Sequence, residues 1–468
     1  MYTYEQYPNL RGMTWKEIIM GTLFGTDGIR GIANDTLTAE LAFKIGRSGA
    51  YVLTKSLNRR ARILIGKDTR KSGDMLEAAL TAGLCSVGAK VIPLGIIPTP
   101  AVAYLTRLYK ADAGVVISAS HNPCEYNGIK FFSSKGYKLS DDIEDEIEDY
   151  ILGKKEIDNL PTHGGVGYVS ANHNAVEDYV SYAISTIDCR LDGLKVAIDC
   201  ANGASYQTAF KALNKLGANV EAIHNTPDGV NINKMCGSTH MESLCAYVTS
   251  IGADVGIAFD GDADRMLAVD EKGSIIDGDQ VMAMCAHHMK QIGTLKGDTL
   301  VATVMSNLGL TLFGKDNGIN VEQTKVGDRY VLERMLEGGF NLGGEQSGHI
   351  IFLDHNTTGD GLVSALQFLA MLKKTGMKAS EAARVIDVLP QVLINAQVKD
   401  ENKEKFRDVP EIAEACQKLE DEFDGKGRVL IRPSGTEPLV RVMIEGENKE
   451  YISKKAREIA DMIEKILG

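Results

Sequence analysis

The sequence predicts an α/β protein, with three related α/β domains carrying mixed sheets and a smaller C-terminal α+β domain. Three observations predict it. Short apolar runs alternate with segments of helical periodicity through three successive blocks; each block ends in a strand that opens into a polar loop; and from about Leu389 the alternation gives way to a strand-rich segment closed by one amphipathic helix.

In the first block a strand over 62–65 runs into the turn Gly-Lys-Asp-Thr-Arg-Lys-Ser-Gly, followed by an Ala/Leu-rich helix over about 74–87. A strand over 90–94, a helix after Pro100 and a strand over 113–117 follow, the last opening into Ser118-Ala119-Ser120-His121-Asn122-Pro123. The second block repeats the scheme: strand 195–198, turn 199–203, a helix, strand 220–223, helix 241–251 and strand 254–259, opening into Asp260-Gly261-Asp262-Ala263-Asp264-Arg265. The third has strand 299–304, turn 305–307, strand 321–324, helix 328–336 and strand 340–342, ending in Gly344-Glu345-Gln346-Ser347-Gly348-His349. The fourth has strand 392–398, helix 411–420, strands 428–431 and 439–444, and a last helix whose apolar face is Ile452, Ala456, Ile459, Ile463 and Ile466. Boundaries fall near residues 187/188, 278/279 and 388/389, giving domains 1–187, 188–278, 279–388 and 389–468. In open α/β sheets ligands gather beyond the carboxyl ends of strands, so the three polar loops are equivalent candidates for a site.

Composition bounds the function. With 468 residues, 44% hydrophobic and 24% charged, the chain is neither disordered nor fibrous. A net charge of −12 opposes nucleic acid and anionic membrane as partners. The 8 cysteines form no C-x-x-C pair, which argues against structural zinc. Charges within the first 20 residues and the lack of a long apolar run exclude a signal or spanning segment, leaving the cytoplasm as the default. The 48 glycines against 11 prolines suit turns whose backbone N–H groups capture phosphate without net positive charge.

Asp260, Asp262 and Asp264 alternate on one turn, an all-oxygen set suited to Mg2+. A calcium loop is the rival, since Glu271 stands twelfth from Asp260, but Arg265 occupies the sixth position, where that loop needs glycine. A solvated acidic turn is the plain alternative. Ser120 can be presented on its loop with Lys130 near to stabilise an oxyanion or phosphate; no G-x-S-x-G elbow surrounds it, and a turn of capping residues is the other reading. Glu345 and Ser347 offer partners for sugar hydroxyls, and His349 is either a proton carrier or structural. Arg432, Ser434, Gly435, Thr436 and Arg441 form a phosphate clamp, and Arg30 lies in the glycine-rich turn 25–31.

Taken together in this order, the Ser-His-Asn-Pro loop, the Asp-x-Asp-x-Asp loop, the Gly-Glu-x-Ser-Gly-His loop and the C-terminal phosphate loop resemble the α-D-phosphohexomutase superfamily over residues 23–445. The resemblance implies four domains around a central cleft. The words FGTDGIRG (24–31), ISASHNP (117–123), CGSTH (236–240) and KVGDRY (325–330), with Gln346, resemble the branch acting on amino-sugar phosphates. That implies interconversion of glucosamine 6-phosphate and glucosamine 1-phosphate, on the route to UDP-N-acetylglucosamine; mutases of mannose or glucose phosphates are the alternative, and a non-catalytic sugar-phosphate sensor or a phosphatase lies in another class. It also implies a phosphoryl group on Ser120, Mg2+ held by it and by Asp260, Asp262 and Asp264, and a hexosamine 1,6-bisphosphate as intermediate and activator. Lys130, His349 or His121 would move the proton at the sugar hydroxyl, Arg30 would polarise phosphate, and Arg265 would join Glu345, Ser347 and the clamp in binding substrate. The phosphorylated amino sugar is the expected partner, and a homodimer is left open. Two departures stand out: an amino-terminal lead of about 20 residues, and Cys124-Glu125 where relatives carry an aromatic residue.

Overall fold

The computed structural model describes residues 23–25, 27–434 and 438–468; the amino-terminal lead, Thr26, Gly435 and Thr436 lie outside them. The first domain holds β1 (Ile29–Ile32), β2 (Arg62–Lys67), β3 (Lys90–Ile96), β4 (Ala113–Ile117), β5 (Tyr126–Ser133) and β6 (Tyr168–Val169), in the order β1-β5-β4-β2-β3-β6. The second holds β7 (Lys195–Asp199), β8 (Asn219–Ile223), β9 (Val255–Phe259), β10 (Met266–Asp270) and β11 (Ile275–Ile276), in the order β11-β10-β9-β7-β8. The third holds β12 (Thr299–Thr303), β13 (Asn320–Thr324), β14 (Leu342–Gly344) and β15 (Ile350–Phe352), in the order β13-β12-β14-β15. The fourth is an antiparallel sheet, β16 (Gln391–Gln397), β18 (Leu439–Gly446) and β17 (Gly427–Pro433), with helices Pro410–Phe423 and Lys449–Leu467.

The first three sheets share one device. A parallel strand, β4, β9 or β14, ends at its carboxyl terminus in a polar loop, and the chain returns antiparallel as β5, β10 or β15. These return strands make the sheets mixed, as expected, and set each loop at the same place on its sheet.

Some elements differ from expectation. The strand expected over 340–342 is Leu342–Gly344, because its register is set by Val301↔Gly343 pairing, which a Gly-Gly pair does not advertise in sequence. Helix Leu308–Asn317 follows directly on the 305–307 turn, where none was expected; the Asn307 side chain caps it by accepting from Gly309 N. Ile466 is exposed, since Leu467 takes the buried position four residues after Ile463 on the last helix.

One apolar core runs through the first three domains, including Leu64, Tyr179, Ile198, Phe259, Leu300 and Phe368. Helix Gly361–Thr375 of the third domain lies within it, capped by Asp360, which accepts from Val363 N (3.0 Å) and from Tyr179 Oη (2.7 Å). The fourth domain has a core of its own, with Ala396, Val442, Ile452 and Ile463 at its centre. It joins the third through Asn307, whose side chain bonds both backbone groups of Leu389, and through Glu445, which accepts from Leu308 N (3.2 Å) and pairs with Arg428. Among the described residues no helix is long and apolar enough to cross a membrane.

Candidate active site

The loop after β4 is pinned from two domains. Ser120 sits at φ 51°, a left-handed conformation unusual for a residue with a side chain, and its neighbours over-determine it. Ser118 Oγ accepts from Ser120 N (3.0 Å) and donates to Asp68 Oδ2 (2.6 Å). Arg70, paired with Asp68, donates to Ser120 O (3.1 Å), and Asn233 of the second domain donates to Ser120 O (2.9 Å) and Asn122 O (3.0 Å). So held, the buried Ser120 Oγ donates to Asp260 Oδ2 at 2.6 Å.

Asp260, Asp262 and Asp264 are all buried, with one oxygen of each within 4.8 Å of the others. A solvated acidic turn is thereby excluded. Burial, then the charges of Asp264 and Asp262, push the Asp260 carboxyl well above the usual range. For Asp262, burial acts upward but is outweighed by Lys130 and the Thr99 hydroxyl, and its pKa falls. Asp262 Oδ2 accepts from Thr99 Oγ1 (2.7 Å) and Lys130 Nζ (3.1 Å). Its Oδ1 and that of Asp264 are buried and accept no hydrogen bond, so the loop fits a hard cation taking oxygen ligands. A calcium loop does not fit: the flanks are β9 and β10, and Glu271 is turned onto Ser380, accepting from its Oγ (2.5 Å) and N (3.1 Å).

Lys130 on β5 is buried between Asp262 and Asp27, whose Oδ2 is 2.8 Å away. Burial lowers its pKa, but Asp262 and Asp27 raise it more, and it stays an ammonium ion. Asp27 also pairs with Arg30 and, through Oδ1, with Lys138 (2.8 Å). His349 faces Asp264 through Nδ1 (3.6 Å) and Asp328 through Nε2 (3.5 Å). Gly359 N–H donates to Nε2 (3.1 Å), which assigns the ring proton to Nδ1. His121 Nδ1 is 3.4 Å from Ser120 Oγ, yet burial and the charges of Arg265 and Arg30 push it down to about 4, leaving it neutral near pH 7. Arg265 donates its backbone N–H to Asp260 Oδ1 (3.2 Å), and its Nε lies 3.9 Å from Asp264 Oδ1. Glu345 accepts from Gly327 N (3.2 Å) and Ser347 is exposed at the loop tip.

The structure thus brings Ser120, His121, Lys130, the three aspartates, Arg265, Arg30 and His349 into one neighbourhood, with Glu345 and Ser347 on the adjoining loop. Of the residues expected to clamp phosphate, the described ones, Arg432, Ser434 and Arg441, lie on the fourth domain, and Gly435 and Thr436 lie outside the described residues. Arg432 and Arg441 are cross-strand partners on β17 and β18, and burial together with the Arg441 charge lowers the pKa of Arg432. Ser434 N donates to Leu439 O (2.9 Å).

Sequence reasoning missed Lys138 and Thr99, gave Asp27 and Asp328 only as letters of the 24–31 and 325–330 words with no role of their own, and treated Asp68 and Arg70 only as a strand-to-helix turn. The 66–73 turn has glycines at both ends and three cations among polar residues, a signal that could have marked it. Asp199 on β7 was given no role either: it accepts from Ala201 N (2.8 Å), Gly237 N (3.0 Å) and His224 Nδ1 (2.9 Å), fixing the start of the CGSTH segment.

Four family models match the chain in succession: phosphoglucomutase/phosphomannomutase alpha/beta/alpha domain I over 21–158, domain II over 177–273, domain III over 277–388, and the C-terminal domain over 393–463. The chain is 62% identical over 449 residues to the phosphoglucosamine mutase of Acetivibrio thermocellus, covering 96% of this chain and 100% of that protein. It is 61% identical over 445 residues to the phosphoglucosamine mutase of Ruminiclostridium cellulolyticum, covering 95% and 99%. A phosphoglucomutase/phosphomannomutase family protein from Burkholderia thailandensis has a similar fold, with TM-score 0.77, 24% identity, and 94% and 97% of the two chains covered. So does the Aspergillus fumigatus N-acetylphosphoglucosamine mutase solved with GlcNAc-6P and magnesium, with TM-score 0.65, 17% identity, and 95% and 96% covered.

Proposed function

The chain belongs to the phosphoglucomutase/phosphomannomutase family, and from that premise we propose that it interconverts glucosamine 6-phosphate and glucosamine 1-phosphate by way of a phosphorylated Ser120 and a hexosamine 1,6-bisphosphate. The observation that carries the chemistry is the Ser120 hydroxyl 2.6 Å from Asp260, inside a buried loop of three carboxylates. The choice of an amino sugar is supported by the full-length likeness to phosphoglucosamine mutases.

Ser120 gives its phosphoryl group to O1 of the 6-phosphate, the sugar turns over in the cleft, and O6 then returns a phosphoryl group to Ser120. Mg2+, when bound by Asp260, Asp262, Asp264 and the Ser120 phosphate, offsets the charge that spreads over the transferred oxygens. Lys130, an ammonium ion beside Asp262, would stabilise the attacking oxygen and the phosphoryl group rather than take a proton, and His349, across the three aspartates, would take the proton of the attacking hydroxyl. His121, neutral and 3.4 Å from Ser120 Oγ, would assist Ser120 rather than the sugar. Arg30 polarises the phosphate, Arg265 and Glu345 meet the sugar and its phosphate, and Ser347 reaches a hydroxyl. Because the sugar binds in two orientations, one phosphate always lies away from Ser120; Arg432, Ser434, Gly435, Thr436 and Arg441 hold it. The enzyme works in the cytoplasm on a free phosphorylated amino sugar, without nucleic acid or membrane.

Ser120→Ala is expected to abolish phosphate incorporation from labelled bisphosphate together with mutase turnover; normal turnover in that variant would sink the mechanism. Comparing kcat/KM for glucosamine, glucose and mannose 6-phosphates tests the substrate, and preference for a neutral sugar would overturn it while leaving the chemistry in place.

A further inference from the structure

Lys138 is in none of the polar loops that carry the site, yet it stands at the centre of a charge chain that starts on one of them. Its ammonium lies 2.8 Å from Asp27 Oδ1 and 2.6 Å from Asp328 Oδ2. Asp27 gives its other oxygen to Lys130 (2.8 Å), which reaches Asp262 on the metal loop (3.1 Å). Asp328, at the start of helix Asp328–Gly338 in the third domain, lies 3.5 Å from His349, which faces Asp264 at the other end of the same metal loop. The chain Asp262, Lys130, Asp27, Lys138, Asp328, His349 therefore leaves the metal loop on one side and returns to it on the other.

Signs alternate along it up to Asp328, and each lysine sits between two carboxylates. That has a geometric effect. With Lys138 present, Asp27 gives Oδ1 to Lys138 and shares Oδ2 between Lys130 and Arg30, and Lys130 is shared between Asp27 and Asp262. Without it, both oxygens of Asp27 are free for Lys130 and Arg30, which draws the Lys130 ammonium away from Asp262 and from the cleft. At the same time Asp328 loses its counter-charge beside His349. The turn that carries Lys138 is docked on the third domain by a second contact, Thr357 Oγ1 donating to Gly136 O (2.6 Å), so the first and third domains meet at this turn independently of the ion pairs.

We propose that Lys138 is a positioning residue for the mutase reaction, a bridge between the first and third domains that fixes Lys130 through Asp27 and the surroundings of His349 through Asp328. The proposal rests on the function argued above. It touches no reacting atom; it acts through the residues that do.

The test uses the full-length enzyme with glucosamine 6-phosphate and catalytic bisphosphate. Lys138→Met is expected to lower kcat about 10- to 100-fold with KM changed less than about threefold, since orientation rather than substrate contact is lost. Lys138→Arg, which keeps a cation between two carboxylates, is expected to restore at least tenfold of that loss. Should the methionine variant fail to fold, Asp328→Asn removes the third-domain end of the bridge and is held to the same kcat-against-KM split. An arm independent of turnover is a double-mutant cycle on urea unfolding: Lys138→Met and Asp328→Asn combined are expected to depart at least about threefold from the product of their separate effects on the unfolding constant. A kcat within twofold of wild type, a loss that arginine does not restore, or a strictly additive cycle overturns the proposal. A wild-type protein without turnover on any hexose phosphate overturns the function instead, and the unfolding cycle then decides the bridge by itself.

Discussion

A methyl group at Gly261 should disable catalysis while leaving the fold intact. Gly261 lies between two aspartates of the metal loop, and its φ is not positive, so alanine meets no backbone penalty there. The obstacle is space. A Cβ at this position would stand 2.6 Å from Ser120 O, 2.7 Å from Asn233 Nδ2 and 2.9 Å from Ile232 Cδ1, whereas ordinary contact begins at 3.4 Å. Relief against the Ser120 carbonyl requires the two loops to part by about 0.8 Å. That carbonyl is held by Arg70 and Asn233, so the movement has to be shared with the metal loop or break those bonds. A displacement of about 1 Å between reacting groups costs about 100-fold, and overpacking a tight interior costs about 1–3 kcal/mol. Gly261→Ala is therefore expected to lower kcat about 30- to 100-fold while the protein stays folded at assay temperature. Gly203→Ala is the companion, because its Cβ would stand 2.4 Å from Gly261 O and press the same loop from behind. The assay is steady-state turnover of glucosamine 6-phosphate with saturating Mg2+, alongside a thermal melt. Activity within threefold of wild type in a folded Gly261→Ala protein would refute the reasoning, since the loops would then have to tolerate separation.

Two further expectations concern stability. Burial, then the charge of Asp277, pushes Asp279 up to about 7, with Glu445 adding to the rise and Asn307 N, 2.7 Å away, opposing it. A carboxyl raised in the folded state holds its proton more tightly there, so its stabilisation is complete below about pH 4 and is lost as pH rises through about 7. Unfolding free energies from urea titrations should fall between about pH 4 and 7, with a slope of at most about 1.4 kcal/mol per pH unit from this group, and Asp279→Asn should flatten that fall; an unchanged slope in the variant rules out Asp279 as its source. Phe368→Ala, in the fully buried middle of helix Gly361–Thr375, should cost about 3–5 kcal/mol in urea unfolding, and a loss under 1 kcal/mol would mean that the shared core can collapse around the gap.

The polar loops were legible because each packs its chemistry into consecutive residues: Ser120 with His121, the alternating aspartates, and Glu345 with Ser347 and His349 all read as strings. The α/β class was legible for a similar reason, since buried parallel strands such as Val255–Phe259 are unbroken apolar runs. What the string hides is whatever depends on pairing across long separations. Asp27 sits in the glycine-rich 25–31 turn, Lys138 follows a turn in the first domain and Asp328 opens a helix of the third; nothing in the string pairs them, and only the folding of the third domain onto the first sets the last two 2.6 Å apart. Strand β14 was misplaced because Gly343 and Gly344 have no β preference of their own and take their conformation from neighbours. Helix Leu308–Asn317 was missed since its capping asparagine and its glycines at 309 and 314 read equally well as a turn.

The separate core of the fourth domain gives the cleft one wall that can yield. Opening any of the other three walls would pull apart an apolar interior they hold in common, and water would have to enter it. Swinging the fourth away leaves its own core together and, among the described residues, breaks the seam around Asn307, Leu389, Arg428 and Glu445. Entry, exit and the turning of a doubly phosphorylated sugar can all be served by this one door, while the reacting loops stay fixed on a frame that need not flex.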